Sequence, residues 1–263
     1  MSFKFKKIGC ITDFSSKTAS SAYQLIMDKY NFHDANDFSN VDYDLIIALG
    51  GDGLMLKVLH RYIELGTPIY GMNRGSIGFL LNDFNVDDLM ARIERAIKFS
   101  LVPLEMTAQT VDGKIHKELA VNEVSLLRQT SQAAKLKIYV DGHERLNSLV
   151  CDGILISTPA GSTAYNFAAN GPIIPLDSNI LAMTPISPFR PRRWRGALLS
   201  HQNRVKIEII DADKRPVSAV ADFNEVRDII TVEIYERRDL VLNLLFDQEN
   251  NIQDRIIKEQ FIT

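Results

Sequence analysis

Apolar positions along the first hundred residues change their period repeatedly. Residues 7–12 form a short apolar run that predicts a strand. Ala22, Leu25, Ile26 and Tyr30 then recur at helical spacing. Residues 44–49 carry an unbroken Leu-Ile-Ile-Ala-Leu run, the pattern of a strand buried on both faces of a parallel sheet. Met55, Val58, Leu59, Tyr62 and Ile63 return to the helical period, and Gly66 with Pro68 ends that helix. Residues 68–71 predict another short strand, followed by a glycine-rich stretch over 71–78. Val86, Leu89, Met90, Ile93 and Ile97 make one further helical face, with Asn85 as its N-cap and Asp88 three residues on. This strand–helix alternation predicts a doubly wound α/β domain.

The pattern changes near residue 100. Asp112-Gly113 lies between the stretches 107–111 and 114–120, a two-residue hairpin signal. Asp141-Gly142 repeats it after the alternating Leu136, Ile138 and Val140. Val205, Ile207 and Ile209 alternate again, as do Val232 and Ile234, while the long middle segment reads as irregular. Helical spacing returns with Ile252, Ile256 and Phe261. The expected architecture is a Rossmann-like α/β domain over 1–99 and a β-rich, β-sandwich-like domain over 100–245. A C-terminal helix over 246–263 is expected to pack back on the first domain.

Composition narrows the class without naming a function. Thirty basic residues stand against 33 acidic ones, and 46% of the chain is apolar. That balance excludes a disordered chain and argues against a nucleic-acid backbone as main partner. Cys10 and Cys151 form no CxxC pair, and His33, His60, His116, His143 and His201 show no zinc spacing. No apolar run approaches a membrane span, and no signal peptide is read, so a cytoplasmic setting without membrane or nucleic-acid partners is expected.

Three features carry candidate chemistry. Gly50-Gly51-Asp52-Gly53 follows the buried strand and opens a helix, where open α/β sheets place their ligand crevice. Glycines admit a phosphate close to the backbone, and the helix start suits an anion. A carboxylate there fits proton abstraction from an attacking hydroxyl, or metal binding; the plainer alternative is that Asp52 caps the helix. The stretch 152–175 is dense in hydroxyls and small residues around Ser157-Thr158-Pro159-Ala160-Gly161-Ser162-Thr163-Ala164-Tyr165. It can serve as a close-approach ligand loop with Tyr165 as a polar aromatic, or as an ordinary surface loop. Asn122-Glu123 sits inside an apolar, strand-like segment, where a polar pair needs partners if buried, or an edge strand's solvent face if not. No GxxxxGK[ST] occurs, and no GxGxxG follows the first strand.

Taken in order, GGDG, Asn-Glu some 70 residues later and then STPAGSTAYNFAANGPIIP resemble the NAD kinase family over nearly the whole chain. The resemblance implies transfer of the γ-phosphoryl of ATP to the adenosine 2′-hydroxyl of NAD, with a divalent metal such as Mg2+. It implies Asp52 as general base, and Gly50, Gly51 and Gly53 against the ATP phosphates. It implies that Gly53, Lys57, Phe79, Asn122, Glu123 and Asp152 hold NAD. Ala160, Thr163, Ala164, Tyr165, Asn166, Phe167 and Ala168 would line the dinucleotide pocket. A homo-oligomer, commonly a tetramer, is also implied.

Some positions depart from the family pattern. Leu54 stands where many relatives have Thr, Ala160 where Thr or Ser is commoner, and Phe189 where His is frequent. Residues 190–195 hold four arginines and Trp194, an unusual cluster suited to phosphate, to a subunit contact or simply to solvent. Asp222 is a candidate ligand neighbour. Two rival functions remain at this level. A lipid or sugar kinase using the GGDG loop would lack the tyrosine-bearing polar segment, and a non-catalytic dinucleotide sensor would have no use for Asp52.

Overall fold

The Leu-Ile-Ile-Ala-Leu run becomes the strand Leu45–Gly50, buried at every position. It pairs in parallel with Ile8–Thr12 on one side and Ile69–Asn73 on the other. A strand flanked at both edges and covered on both faces has no polar side, which is why its sequence does not alternate. The computed structural model describes residues 5–37, 42–75 and 78–248. These fall into two compact units, one running to Leu101 and resuming at Asp239, the other Val102–Arg238.

The first unit's six-stranded sheet runs His33–Asp34, Ile8–Thr12, Leu45–Gly50, Ile69–Asn73, Leu242–Phe246, Ile97–Leu101, with only the last pair antiparallel. Helices Lys17–Lys29 and Leu89–Arg95 send Tyr23, Ile26, Leu89 and Ile93 onto the face lined by Cys10, Ile47, Tyr70 and Met72. Gly71 points to the opposite face, where an added Cβ would meet Met55 of helix Asp52–Tyr62. Helices therefore cover both faces, as the strand–helix order predicts. Among the described residues no helix is long and apolar enough to cross a membrane.

Several sequence expectations change. Leu25 is exposed and Tyr23 takes the inward place, because the helix phase is set by Ala19, Ala22 and Ile26. Asn85 caps no helix. Its side chain accepts the Asp87 N–H in a local turn, and the helix starts at Leu89 behind Asp88, which is left-handed at φ 50°. Ile97 leaves the helical face to open the strand Ile97–Leu101. Leu242–Phe246, expected within the β-rich domain, completes the first sheet instead. The helix expected over 246–263 lies outside the described residues beyond Gln248. Up to that point the return to the first unit is made by a strand.

The second unit contains two six-stranded antiparallel sheets. One runs His143–Cys151, Ala134–Val140, Val205–Ile209, Ile229–Glu236, Leu104–Thr110, Ile115–Ala120; the other runs Ala197–Ser200, Ile180–Ile186, Gly153–Ser157, Glu123–Arg128, Val217–Ala221, Asn224–Val226. Leu136, Ile138, Val205 and Ile207 from the first meet Val124, Leu126, Ile154, Ile156 and Ala219 from the second in one core. The segment expected to be irregular supplies Ile180–Ile186 to the interior of the second sheet; Pro185, paired there with Ile154, disguised it. Asp141 and Gly142 both adopt positive φ (52° and 75°), the hallmark of a type I′ hairpin turn. Asp112-Gly113 makes a wider connection, closed by the Gly113 N–H to Thr110 carbonyl bond with Gly113 at φ 83°.

Two glycines at positive φ separate conformational from steric demand. Gly142 has open space around its missing Cβ, whereas a Cβ on Gly196 (φ 98°) would lie 1.9 Å from the Met183 carbonyl oxygen. We expect Gly142→Ala to destabilise the fold by about 1 kcal/mol. Gly196→Ala should be distinctly worse, and equal urea midpoints for the two variants would contradict the steric argument.

Candidate active site

Strand Leu45–Gly50 ends one residue before helix Asp52–Tyr62 begins, so Gly51 is the N-cap, extended at φ −101° and ψ −175°. Its carbonyl receives the N–H groups of Leu54 and Met55, both at 3.1 Å. First-turn N–H groups lack acceptors within a helix and suit an anion. The three glycines serve different ends. Gly50 lies beneath Leu54, whose Cδ2 would be 2.7 Å from an added Cβ, so Leu54 fills space over the loop. Gly51 meets Gly75 backbone to backbone, since a Cβ on Gly75 would sit 3.1 Å from the Gly51 Cα. Arg74 reinforces that approach by donating its N–H to the Gly50 carbonyl at 2.8 Å. Nothing lies within 4 Å of the Cβ position of Gly53, which faces open space.

Asp52 does not cap its own helix. Its Oδ2 accepts the Phe79 N–H at 3.1 Å and its Oδ1 the Leu80 N–H at 3.3 Å. The carboxylate is thereby oriented by a second chain segment rather than by its own turn. Phe79 is half-buried and Lys57 exposed. Lys57 adds to the lowering of the Asp13 carboxyl, which hydrogen bonds from Ser15 chiefly cause. This puts a cation beside the end of the first strand.

In the second unit the chain crosses from Ile115–Ala120 of one sheet to Glu123–Arg128 of the other through Val121 and Asn122. Asp222, left-handed at φ 53°, fixes this corner. Its carboxylate accepts the N–H groups of Val121 (2.6 Å), Asn122 (3.0 Å) and Glu123 (3.1 Å). Glu123 lies on a central strand, not an edge, and is buried. Asn122 Oδ1 and Glu123 Oε2 are buried without a hydrogen-bond partner. Burial pushes the Glu123 carboxyl up to about 8, with Asp222 adding to the rise.

The hydroxyl-rich loop turns most of its polar groups inward. Thr158 Oγ1 donates to the Val121 and Asn122 carbonyls and accepts the Gly161 N–H. Ser162 bonds Pro159 and Ile174. The fully buried Asn166 amide donates to the Ser162 and Pro172 carbonyls and accepts from Thr184. Asn166 is thus engaged in shaping the loop. A Cβ on Gly161 would lie 2.2 Å from the Asn122 carbonyl oxygen, so the loop rests directly on the Asn122 corner. Burial raises the Tyr165 hydroxyl, followed by the charges of Glu123 and Asp152, which places all three side chains in one neighbourhood. Asp152 is held by Arg128 through an Nε–H to Oδ1 bond of 2.6 Å. Ala160 is buried, Thr163 and Ala164 are half-buried, and Phe167 and Ala168 are exposed.

The structure therefore groups Gly50, Gly51, Asp52, Gly53, Lys57 and Phe79 in the first unit. In the second it groups Asn122, Glu123, Asp152, Tyr165 and the turn containing Ala160, Thr163 and Ala164. Sequence reasoning missed Arg128, and it noted Asp222 without its role. A lone carboxylate directly after the strand Val217–Ala221 was the available signal. The 190–195 arginines start at an antiparallel bridge between Arg190 and Val150, and Trp194 packs on the sandwich core.

Residues 1–99 match the ATP-NAD kinase N-terminal domain and residues 121–235 the ATP-NAD kinase C-terminal domain. An NAD kinase of Rhizobium meliloti (strain 1021) is 49% identical over 261 residues, covering 99% of each chain. One of Caulobacter vibrioides is 58% identical over 217 residues, 82% of this chain and 84% of the relative. Among solved structures, yeast NADH kinase complexed with NADH superposes with a TM-score of 0.82 at 21% identity, covering 98% of this chain and 88% of that one. An NAD kinase from Archaeoglobus fulgidus in complex with ATP gives 0.76 at 20% identity, covering 98% and 100%. At these identities the two structures establish the shared fold. The end-to-end likeness to curated relatives at about half of all positions establishes more, and this chain belongs to the NAD kinase family.

Proposed function

We propose that the family's reaction, phosphoryl transfer from ATP to NAD, proceeds here with Asp52 as general base at the adenosine 2′-hydroxyl. The observation that carries this reading is the Asp52 carboxylate, gripped through both oxygens by the Phe79 and Leu80 N–H groups beside the open face of Gly53. A secondary hydroxyl is too weak an acid to be ionised beforehand. A fixed carboxylate instead takes the proton as the bond from O2′ to the γ-phosphorus forms and the bond to the ADP oxygen breaks. The glycine loop and the helix start stabilise charge on the transferred group. Family membership speaks against the lipid or sugar kinase alternative.

Asn122, Glu123, Asp152 and Tyr165 hold the dinucleotide in this reading, with Ala160, Thr163 and Ala164 shaping the wall. Asn122 Oδ1 can only accept, so it calls for a ligand hydroxyl or amide N–H. Glu123, with its carboxyl pushed up to about 8, is protonated at neutral pH and can donate to a ribose oxygen as well as accept. Among the described residues no three His, Cys, Asp or Glu side chains converge. The divalent ion of this reading arrives on the ATP phosphates. When bound, such an ion neutralises charge on the phosphates. The family resemblance extends the proposal to a cytoplasmic homo-oligomer, and the free, buried Cys10 and Cys151 fit a reducing compartment.

Asp52→Asn should lower kcat by about 10²- to 10⁴-fold while NAD still binds, measured by NADP formation and by calorimetry. Near-normal turnover would sink the base assignment. Tyr165→Ala should raise the KM for NAD more than that for ATP; equal increases would argue against a dinucleotide wall there. A carboxyl whose folded pKa is raised adds stability below its unfolded value, and that contribution is lost as pH rises toward about 8. The Tm of the ligand-free protein should therefore fall relative to that of Glu123→Gln between about pH 5 and pH 8.5. A pH-independent Tm difference would show that Glu123 is ionised throughout.

A further inference from the structure

The strands Ile69–Asn73 and Leu242–Phe246 pair in parallel at Ile69 and Leu244. Farther along, one side chain bridges them. Asn82 is fully buried, and its Nδ2 donates to the Gly71 carbonyl at 3.0 Å and to the Leu245 carbonyl at 2.9 Å. Its Oδ1 accepts the Asp247 N–H at 2.9 Å. Its own backbone N–H reaches the Gly71 carbonyl, and its carbonyl takes the Asn73 N–H, both at 2.8 Å. One carboxamide with two donors and an acceptor thus joins both strands, as a further length of backbone would. Behind it, the Asp247 carboxylate accepts from the Tyr70 hydroxyl and from Arg92, each at 2.5 Å.

An apolar side chain of similar volume would leave the Leu245 carbonyl and the Asp247 N–H without this partner, so the amide serves packing as well. What it adds beyond packing is position. Two and three residues upstream of Asn82 lie the N–H groups of Leu80 and Phe79 that hold Asp52. The same segment is confined at its other end by Gly78, where a Cβ would come within 2.9 Å of Asn73 and Leu81. With Asn82 anchored and little room beside Gly78, the register set at Asn82 is passed through Leu81 to the N–H groups on the carboxylate.

We infer that Asn82 is a positioning residue for the phosphoryl transfer: anchored to Gly71, Leu245 and Asp247, it fixes the Phe79 and Leu80 N–H groups that orient Asp52. The inference rests on Asp52 acting as the base. A misplacement of about 1 Å at a reacting group lowers rates by about 10²-fold, which is the scale of effect to look for.

The test uses the full-length enzyme carrying Asn82→Ser, with kcat, the KM for NAD and for ATP, Tm and the pH profile of kcat. We expect kcat to fall about 10- to 100-fold with both KM values within about threefold. The acid limb of the profile should move to higher pH, because a carboxylate that loses N–H donors becomes more basic. Asp247→Ala is the structural control. It removes the acceptor of Tyr70 and Arg92 but leaves the Asp247 N–H on Asn82, so Tm should drop while kcat and the acid limb stay in place. The inference is overturned if Asn82→Ser lowers only Tm or raises only KM, or if Asp247→Ala reproduces the kcat loss and limb shift. Should Asn82→Ser not fold, Asn82→Gln keeps the amide on a longer stem, displaces the segment and is judged by the same readouts. Asp52→Asn read alongside separates the two readings. Normal kcat there defeats the base assignment. Lost kcat there, with Asn82→Ser normal in kcat and limb, defeats only the positioning role.

Discussion

The paired hydrogen bonds from Phe79 and Leu80 to Asp52 join three separate parts of the first unit. They need a strand that stops at Gly50, a helix that starts at Asp52, and a returning segment that arrives with its N–H groups pointing back. The second unit inverts the relation. There the Asp222 carboxylate is the fixed element, and three successive N–H groups at Val121, Asn122 and Glu123 are arranged around it. In one unit backbone positions a carboxylate, and in the other a carboxylate positions backbone. Both arrangements exploit the strength of hydrogen bonds to an ionised acceptor.

Polar groups in the second unit separate cleanly by what they do. Ser162, Thr158 and Asn166 are buried and spend their bonding capacity within the loop. Asn122 Oδ1 and Glu123 Oε2, next to them, are buried and unpartnered. Tyr62, Gln129 and Thr231 also carry an unpartnered buried atom, so an orphaned atom alone marks no site. What distinguishes Asn122 and Glu123 is adjacency to each other and to a loop already satisfied. Bonding capacity left open there is what the proposed dinucleotide contact would fill.

Much of this was legible in the residues. The 44–49 run announced a doubly covered strand because burial on both faces removes alternation. The Asp-Gly pairs marked both hairpins because few residues accept positive φ. GGDG pointed to the strand end because loops there must bend sharply. What failed was decided by long-range contacts. Val86 and Ile97 share a helical phase with Leu89 and Ile93, yet the helix spans only Leu89–Arg95, since Ile97 joins a strand whose partner comes from Leu242–Phe246. Asn166, which the resemblance implies lines the pocket, also accepts from Thr184 eighteen residues away, a contact that local pattern does not encode.

The sheet order of the first unit has a consequence for how the chain is made. Leu242–Phe246 lies between Ile69–Asn73 and Ile97–Leu101, and more than a hundred residues of the second unit separate it in sequence from both. Pairing over such a separation closes late in folding. A nascent chain that has emerged only through Arg238 already holds every strand of the second unit. Its first sheet still has Ile97–Leu101 without a neighbour, and Asn82 without Leu245 and Asp247. Leu242–Phe246 thus completes the bracing around Asp52 only after the whole of the second unit has been made.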